Sequence, residues 1–246
     1  MKPYYEDTRA GIVIYHGDCR EVLPQLEAAS IDLVVADPIY GVSMPGVKHE
    51  GRPGDGARNF DFFANDTPSE AIALAKSIVK ECDRLLKPHG SGYAWLSHRQ
   101  FAELTIDLEL RGWKTRFLVW SKSCPPPPPP GSGWPSAAEL CLYWFRDGRR
   151  WTHDGIDYPR SNVLIHDAYR YGKPGKVNHP TQKPLGCMAT PVVASSQPGD
   201  LVLDPSLGSG TTARVCKDLG RRCIGIELEE RYCEIAANRL RQEVLF

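Results

Sequence analysis

Leu201-Val-Leu-Asp-Pro-Ser-Leu-Gly-Ser-Gly-Thr-Thr212 and, about one helix later, Cys223-Ile-Gly-Ile-Glu227 carry the reading of the fold. An apolar run, Leu201 to Leu203, ends in a glycine turn and leads into a helical stretch, Thr211 to Leu219. A second apolar run, Cys223 to Ile226, precedes another helical stretch, Glu229 to Gln242. This is a β-turn-α-β unit, the building block of parallel sheets. Glycines let the backbone turn sharply and approach a ligand, and the helix start behind them presents unpaired N–H groups. Glu227, closing the second strand, can accept both hydroxyls of a ribose, which is the chemical logic of nucleoside-cofactor sites in doubly wound sheets. A glycine turn also joins strands to helices where nothing binds, and a phosphate is a second candidate occupant. The lysine and spacing of a G-x-x-x-x-G-K-S/T loop are missing, which disfavours nucleotide hydrolysis. A dinucleotide oxidoreductase would carry its glycine turn in an early βαβ unit, whereas this one is late.

Working outward, the same alternation of short apolar strands and longer helical patterns continues upstream and predicts a mostly parallel sheet covered by helices. Ile31 to Ala36 reads as a buried strand, Ser69 to Leu86 as a helix and Gly92 to Leu96 as the next strand, with Lys87-Pro-His-Gly90 as the break between them. Phe101 to Leu110 reads as helix, and Thr115 to Trp120 and Glu139 to Phe145 as strands flanking the stiff extended run Pro125 to Pro130. Arg146 to Lys176 loses periodicity and reads as an irregular lobe or long loop, and a helix begins at about Pro184. Asp37, Pro38 and Tyr40 stand at the carboxyl end of the Ile31–Ala36 strand, where ligands bind in open α/β sheets. Taken alone, Asp37 could equally cap the following loop and Tyr40 could be a packing aromatic.

The chain has 246 residues, 41% of them hydrophobic, enough for one large α/β domain with excursions. Its 30 basic and 30 acidic residues cancel, so any nucleic-acid surface must be local. Eight cysteines, at 19, 82, 124, 141, 187, 216, 223 and 233, form neither a C-x-x-C pair nor a compact Cys/His cluster, which predicts reduced thiols and no zinc site. Met1 to Thr8 is polar and charged, and no run reaches the roughly 20 apolar residues of a membrane span. A soluble, cytoplasmic protein is expected.

Taken together, these strings resemble the β-class amino-methyltransferases of DNA, which place the catalytic motif before the cofactor motif. Asp37-Pro-Ile-Tyr40 is similar to their D-P-P-Y, Asn178-His-Pro-Thr-Gln-Lys-Pro184 to N-H-P-T-Q-K-P, and Asp204-Pro-Ser-Leu-Gly-Ser-Gly-Thr-Thr212 to D-P-F-x-G-S-G-T-T. Gly17-Asp18-Cys19 resembles the short acidic motif near the start, and Ile224-Gly-Ile-Glu227 the ribose-binding strand. The likeness covers nearly the whole chain. It implies a Rossmann-like fold of the S-adenosylmethionine-dependent type, with a mostly parallel seven-stranded sheet and helices on both faces. Residues 1–145 would form the catalytic part, 146–177 a target-recognition lobe, and 178–246 the cofactor part of the same domain.

The resemblance further implies roles. Asp37 and the Pro38 carbonyl accept hydrogen bonds from the target amine, and Tyr40 stacks on the base. Asp18 contacts the cofactor's adenine and Glu227 its ribose; Gly208 and Gly210 line its approach, within a motif that includes Asp204, Ser206 and Thr211. Thr181, Gln182 and Lys183 flank its methionine end. The expected reaction is methylation of the N6 amine of adenine in double-stranded DNA by base flipping. N4 of cytosine, a catalytically silent DNA-binding relative, and an RNA or protein methyltransferase are the alternatives. A homodimer is compatible, and neither a metal nor a membrane is called for. In the lobe, Arg/Lys at 146, 149, 150, 160, 170, 173 and 176 outnumber Asp at 147, 154, 157 and 167, and Trp151, Tyr158, Tyr169 and Tyr171 are interleaved, a pattern suited to nucleic acid or to a solvated loop. Two positions depart from the pattern. Ile39 replaces a proline that would stiffen the residue before it and aim the Pro38 carbonyl, and Ser206 replaces an aromatic, whose burial is worth roughly 1.5 to 3 kcal/mol.

Overall fold

The computed structural model describes residues 1–41, 66–123, 125, 133–149, 161–168 and 175–242. The strands are β1 (Tyr5–Asp7), β2 (Ile12–His16), β3 (Ile31–Ala36), β4 (Leu86–Leu96), β5 (Lys114–Lys122), β6 (Ala138–Phe145), β7 (Val163–His166), β8 (Leu201–Asp204) and β9 (Arg222–Glu227). The helices are α1 (Cys19–Val22), α2 (Pro68–Leu85), α3 (His98–Leu110), α4 (Leu185–Ser195), α5 (Thr211–Asp218) and α6 (Glu230–Arg241). All nine strands join one sheet in the order β1-β2-β9-β8-β3-β4-β6-β5-β7. Five of its eight pairings are parallel, and β1–β2, β4–β6 and β5–β6 are antiparallel. Among the described residues the sheet is therefore mixed and nine-stranded, which corrects the expectation of seven.

The two extra strands are short edges whose pairing the sequence barely signals. β1 turns back on β2 through Gly11, at φ +67°. β7 lies inside the stretch expected to be irregular; of its four residues only Leu164 is buried, and it is held by parallel pairing to β5. The expected break at Lys87–Gly90 is instead an excursion within β4. Ile31 pairs with Leu86 and Leu33 with Ser91, and Lys87 and His89 turn their tips onto the buried Asp32 carboxylate, at 2.8 and 3.1 Å.

All six residues of β3 are buried, as a central strand between β8 and β4 requires. Its alternation divides the core. Leu33 and Val35 face one layer with Met188, Val192, Cys216 and Leu240 of α4, α5 and α6. Ile31, Val34 and Ala36 face the other with Val22, Ile78, Val79 and Leu104 of α1, α2 and α3. Helices thus cover both faces. Buried Ala71, Ala75, Ile78, Val79, Cys82 and Leu85 recur at helical spacing along α2, and Thr67 caps its start ahead of Pro68. The seven described cysteines are free and buried. No helix among the described residues is long and apolar enough to cross a membrane.

Candidate active site

The strand order places the functional strings side by side. β3 and β4 run outward on one side of the chain's switch point and β8 and β9 on the other, and ligands collect at the carboxyl ends beside such a switch. Along that single edge lie Asp18 just beyond β2, Glu227 ending β9, Asp204 ending β8 and Asp37 following β3. Because β6 is antiparallel, its amino end reaches the same edge, where Glu139 pairs with Trp120 of β5. These residues line one cavity of about 880 Å³.

Where Asp37 stands, Lys183 Nζ donates to Asp37 Oδ1 (2.7 Å) and to Tyr40 OH (2.9 Å), and pairs with Glu139 Oε2 at 3.0 Å. Tyr40 OH is also within bonding distance of Asp37 Oδ1 (3.0 Å) and Glu139 Oε2 (3.1 Å), and Lys122 Nζ neutralises Glu139 Oε1 at 2.8 Å. Burial pushes the Asp37 carboxyl above the ordinary range, with Glu139 adding to the rise and Lys183 pulling against it. Burial also works against the Glu139 carboxylate, but Lys183 and Lys122 outweigh it and hold the group at about 2. Burial likewise disfavours the Lys183 ammonium, and the two carboxylates overcome it and raise its pKa.

At the cofactor end, Glu227 is nearly buried and accepts one backbone N–H on each oxygen, from Gly208 (2.7 Å) and Glu229 (2.8 Å). Each oxygen keeps lone-pair capacity for a further donor. Asp204 is 1% exposed; its Oδ1 takes the Ser206 N–H at 3.0 Å, and the Thr212 side chain works with that bond against the effect of burial. Burial pushes Asp204 up to about 7. Asp18 caps α1, and the Arg20 guanidinium grips both its oxygens at 2.6 to 3.0 Å, holding its pKa down against burial. His179 packs edge-on to Tyr232, and burial, aided by Lys176 and Lys183, depresses it to about 3, so it is neutral.

Of the residues expected in the site, all but Gly210 line the cavity. Gly210 turns at φ +77° against α6, where an added Cβ would lie 2.6 Å from Ala236 Cβ. Gln182 lines the cavity but spends its amide bracing the preceding loop, accepting from Val177 N (2.9 Å) and donating to Gly175 O (2.8 Å). Lys183 points its ammonium into the catalytic cluster.

Both departures from the motif pattern have local answers. The Ser206 hydroxyl accepts the Asp37 N–H at 3.1 Å, tying the end of β3 to the turn after β8. Ile39, lacking a proline's stiffness, has its carbonyl held at 2.8 Å by the amide of the fully buried Gln100, which also closes the capping box of α3 with Ser97. Sequence reading missed Glu139, Lys122 and Gln100. Glu139 did carry a signal, an acidic residue at the end of an apolar strand, but the relevant end is the amino end because β6 is antiparallel.

Of the lobe, residues 150–160 and 169–174, with Trp151, Tyr158, Tyr169 and Tyr171, lie outside the described residues, as do 126–130 of the proline run. Its described basic residues engage their own chain. Arg146 stacks on Trp113 and Arg149 on Phe145, each at 3.9 Å, and Lys176 bonds the His179 carbonyl.

The chain is similar to known proteins over most of its length. The sequence model of a family described as DNA methylase matches residues 31–238. The type II methyltransferase M2.DpnII of Streptococcus pneumoniae is 29% identical over 98% of this chain and 93% of its own length. The type II methyltransferase M.HinfI of Haemophilus influenzae is 31% identical over 93% of this chain and 68% of its own. The crystal structure of an M1.HpyAVI–SAM complex superposes with a TM-score of 0.70 at 26% identity, covering 94% of this chain and all of that one. The cytosine-N4-specific PvuII DNA methyltransferase shares the fold, with a TM-score of 0.77 at 19% identity, over 100% of this chain and 91% of that one. From the match across residues 31–238 and the identity to M.HinfI, the chain belongs to the DNA methylase family of N6/N4 amino-methyltransferases.

Proposed function

We propose that this chain methylates the N6 amine of adenine within a specific sequence of double-stranded DNA, drawing the target base out of the helix into the cavity, as the modification enzyme of a type II restriction-modification pair. The observation that carries this reading is the junction of two strings. Asp37 to Tyr40 and the turn after Asp204 line the same cavity and are bonded directly, Asp37 N–H to Ser206 Oγ. S-adenosylmethionine is the cofactor and supplies, when bound, an electrophilic methyl group on a sulfonium. The residues present fit it: each Glu227 oxygen keeps capacity for a ribose hydroxyl beyond its one backbone N–H. The cavity also falls within the usual range for ligand sites, about 300–1,000 Å³.

An exocyclic amine is a poor nucleophile because its lone pair is shared with the ring. The Asp37 carboxylate and the Pro38 carbonyl accept its two hydrogens, which favours a more tetrahedral nitrogen with a localised lone pair. Tyr40 offers its ring face to the base. Burial, by raising Asp37, makes its carboxylate a better acceptor for the proton that the methylated nitrogen must shed. The similarity of Asp37-Pro-Ile-Tyr40 to D-P-P-Y, together with the family's habit, favours adenine over cytosine. The test is transfer of radiolabelled methyl groups from S-adenosylmethionine to unmethylated genomic DNA, with the product base identified by mass spectrometry. N6-methyladenine that falls at least ~10²-fold with Asp37→Ala is expected. N4-methylcytosine would overturn the choice of base, and label that persists in the variant would overturn the assigned chemistry.

A further inference from the structure

Lys183 belongs to a string expected to flank the cofactor, yet its ammonium sits in the catalytic cluster. All three of its donors are met by Asp37 Oδ1, Tyr40 OH and Glu139 Oε2, at 2.7, 2.9 and 3.0 Å. Asp37 Oδ1 is thus filled twice, by an ammonium and by the Tyr40 hydroxyl. In the proposed reaction a positive charge grows on the amine nitrogen bonded to Asp37. An ammonium held on the same carboxylate opposes that charge and weakens the carboxylate as an acceptor. The Lys183 side chain is only 5% exposed, so its charge cannot withdraw into water and needs another anion within the pocket. Glu139 is that anion. It already touches the ammonium through Oε2, and its other oxygen is neutralised by Lys122, so a small rotation of the lysine tip completes the move.

We propose that Lys183 holds the amine-binding carboxylate of Asp37 until the target amine enters and is then handed over to Glu139, making Glu139 a positioning residue for the methylation step. The inference rests on the reaction proposed above. Lys183 stands in for the amine until the base arrives, and Glu139 decides whether it leaves.

The experiment compares wild type, Glu139→Gln, Lys183→Met and the double variant for methyl transfer to unmethylated genomic DNA. Rates are expressed per mole of enzyme that binds S-adenosylmethionine in calorimetry, so that misfolded protein does not count. Glu139→Gln is expected to lose about 10-fold or more in kcat with unchanged cofactor affinity, because Lys183 then stays on Asp37. The double variant is expected to recover a substantial part of that loss, since no ammonium remains to be moved, a rescue that a merely structural role would not give. A Glu139→Gln rate within twofold of wild type, or a double variant as slow as the two single losses multiplied together, would overturn the proposal. Should Glu139→Gln yield no cofactor-binding protein, Glu139→Asp takes its place under the same criterion of rescue by Lys183→Met. If the wild type itself methylates no DNA, it is the reaction that fails; if it is active and the rescue is missing, only the handover fails.

Discussion

Replacing Lys183 with methionine keeps an unbranched side chain one atom shorter and removes the charge that two buried carboxylates share. In the intact protein Glu139 is held at about 2 against an ordinary 4.5. At about 1.4 kcal/mol per tenfold change in proton affinity, that favours the folded state by about 3 kcal/mol at neutral pH. The sign follows from the depressed value: the contribution is complete above the unfolded value near 4.5 and is lost as pH falls through about 2. Lys122 retains part of the effect in the variant, so a destabilisation of about 2 kcal/mol at pH 7 is expected. Asp37, already raised by burial, loses its counter-charge as well, which adds to the deficit at high pH with the same sign. Urea unfolding of wild type and variant at pH 7 and pH 3 measures this. The gap should shrink by about half or more at pH 3. An equal gap at both pH values would mean that lost packing, and not charge, is responsible, and no gap at pH 7 would refute the electrostatic account.

Three further outcomes follow from the same geometry. Gly210→Ala should cost about 1–3 kcal/mol, because its Cβ would meet Ala236 at 2.6 Å from a left-handed backbone; calorimetric cofactor affinity of the folded fraction should be unchanged, and a weakened affinity at full stability would show that the glycine serves the ligand instead. Gln100→Leu strips the donor from the Ile39 carbonyl and should cost about 1–3 kcal/mol in unfolding together with a fall in kcat; unaltered kcat would mean that the segment needs no such clamp. Ser206→Ala leaves the Asp37 N–H without its acceptor and should lower stability by about 1 kcal/mol and slow methyl transfer, whereas a variant as fast as wild type would show that the junction does not position Asp37.

The candidate site was legible in the sequence wherever it lies in consecutive residues. The strand-to-glycine turn at 201–212, the acidic residue closing the next strand and Asp37 after a buried strand each follow from local periodicity and turn chemistry, and the structure gathers them along one sheet edge. What stayed hidden depends on pairing between distant segments. Glu139 enters the site because β6 runs antiparallel to β4, a direction that no local pattern encodes. Gln100 carries no signal in the sequence, and only the folded chain brings its amide to the Ile39 carbonyl, 61 positions away.

By itself, then, the sequence determined the α/β class, the order of the Asp37 and Asp204 strings along the chain, and a set of candidate residues of which all but Gly210 line the cavity. Tertiary structure decided that the sheet has nine strands among the described residues, that Gly210 lies against Ala236 of α6, and that Lys183 turns toward Asp37 and Glu139. Backbone conformation and hydrophobic burial follow periodicities within a few residues. The pairing of edge strands and the partner of a buried charge are set by desolvation and distance in three dimensions, and an ammonium takes whichever carboxylates the fold brings within reach.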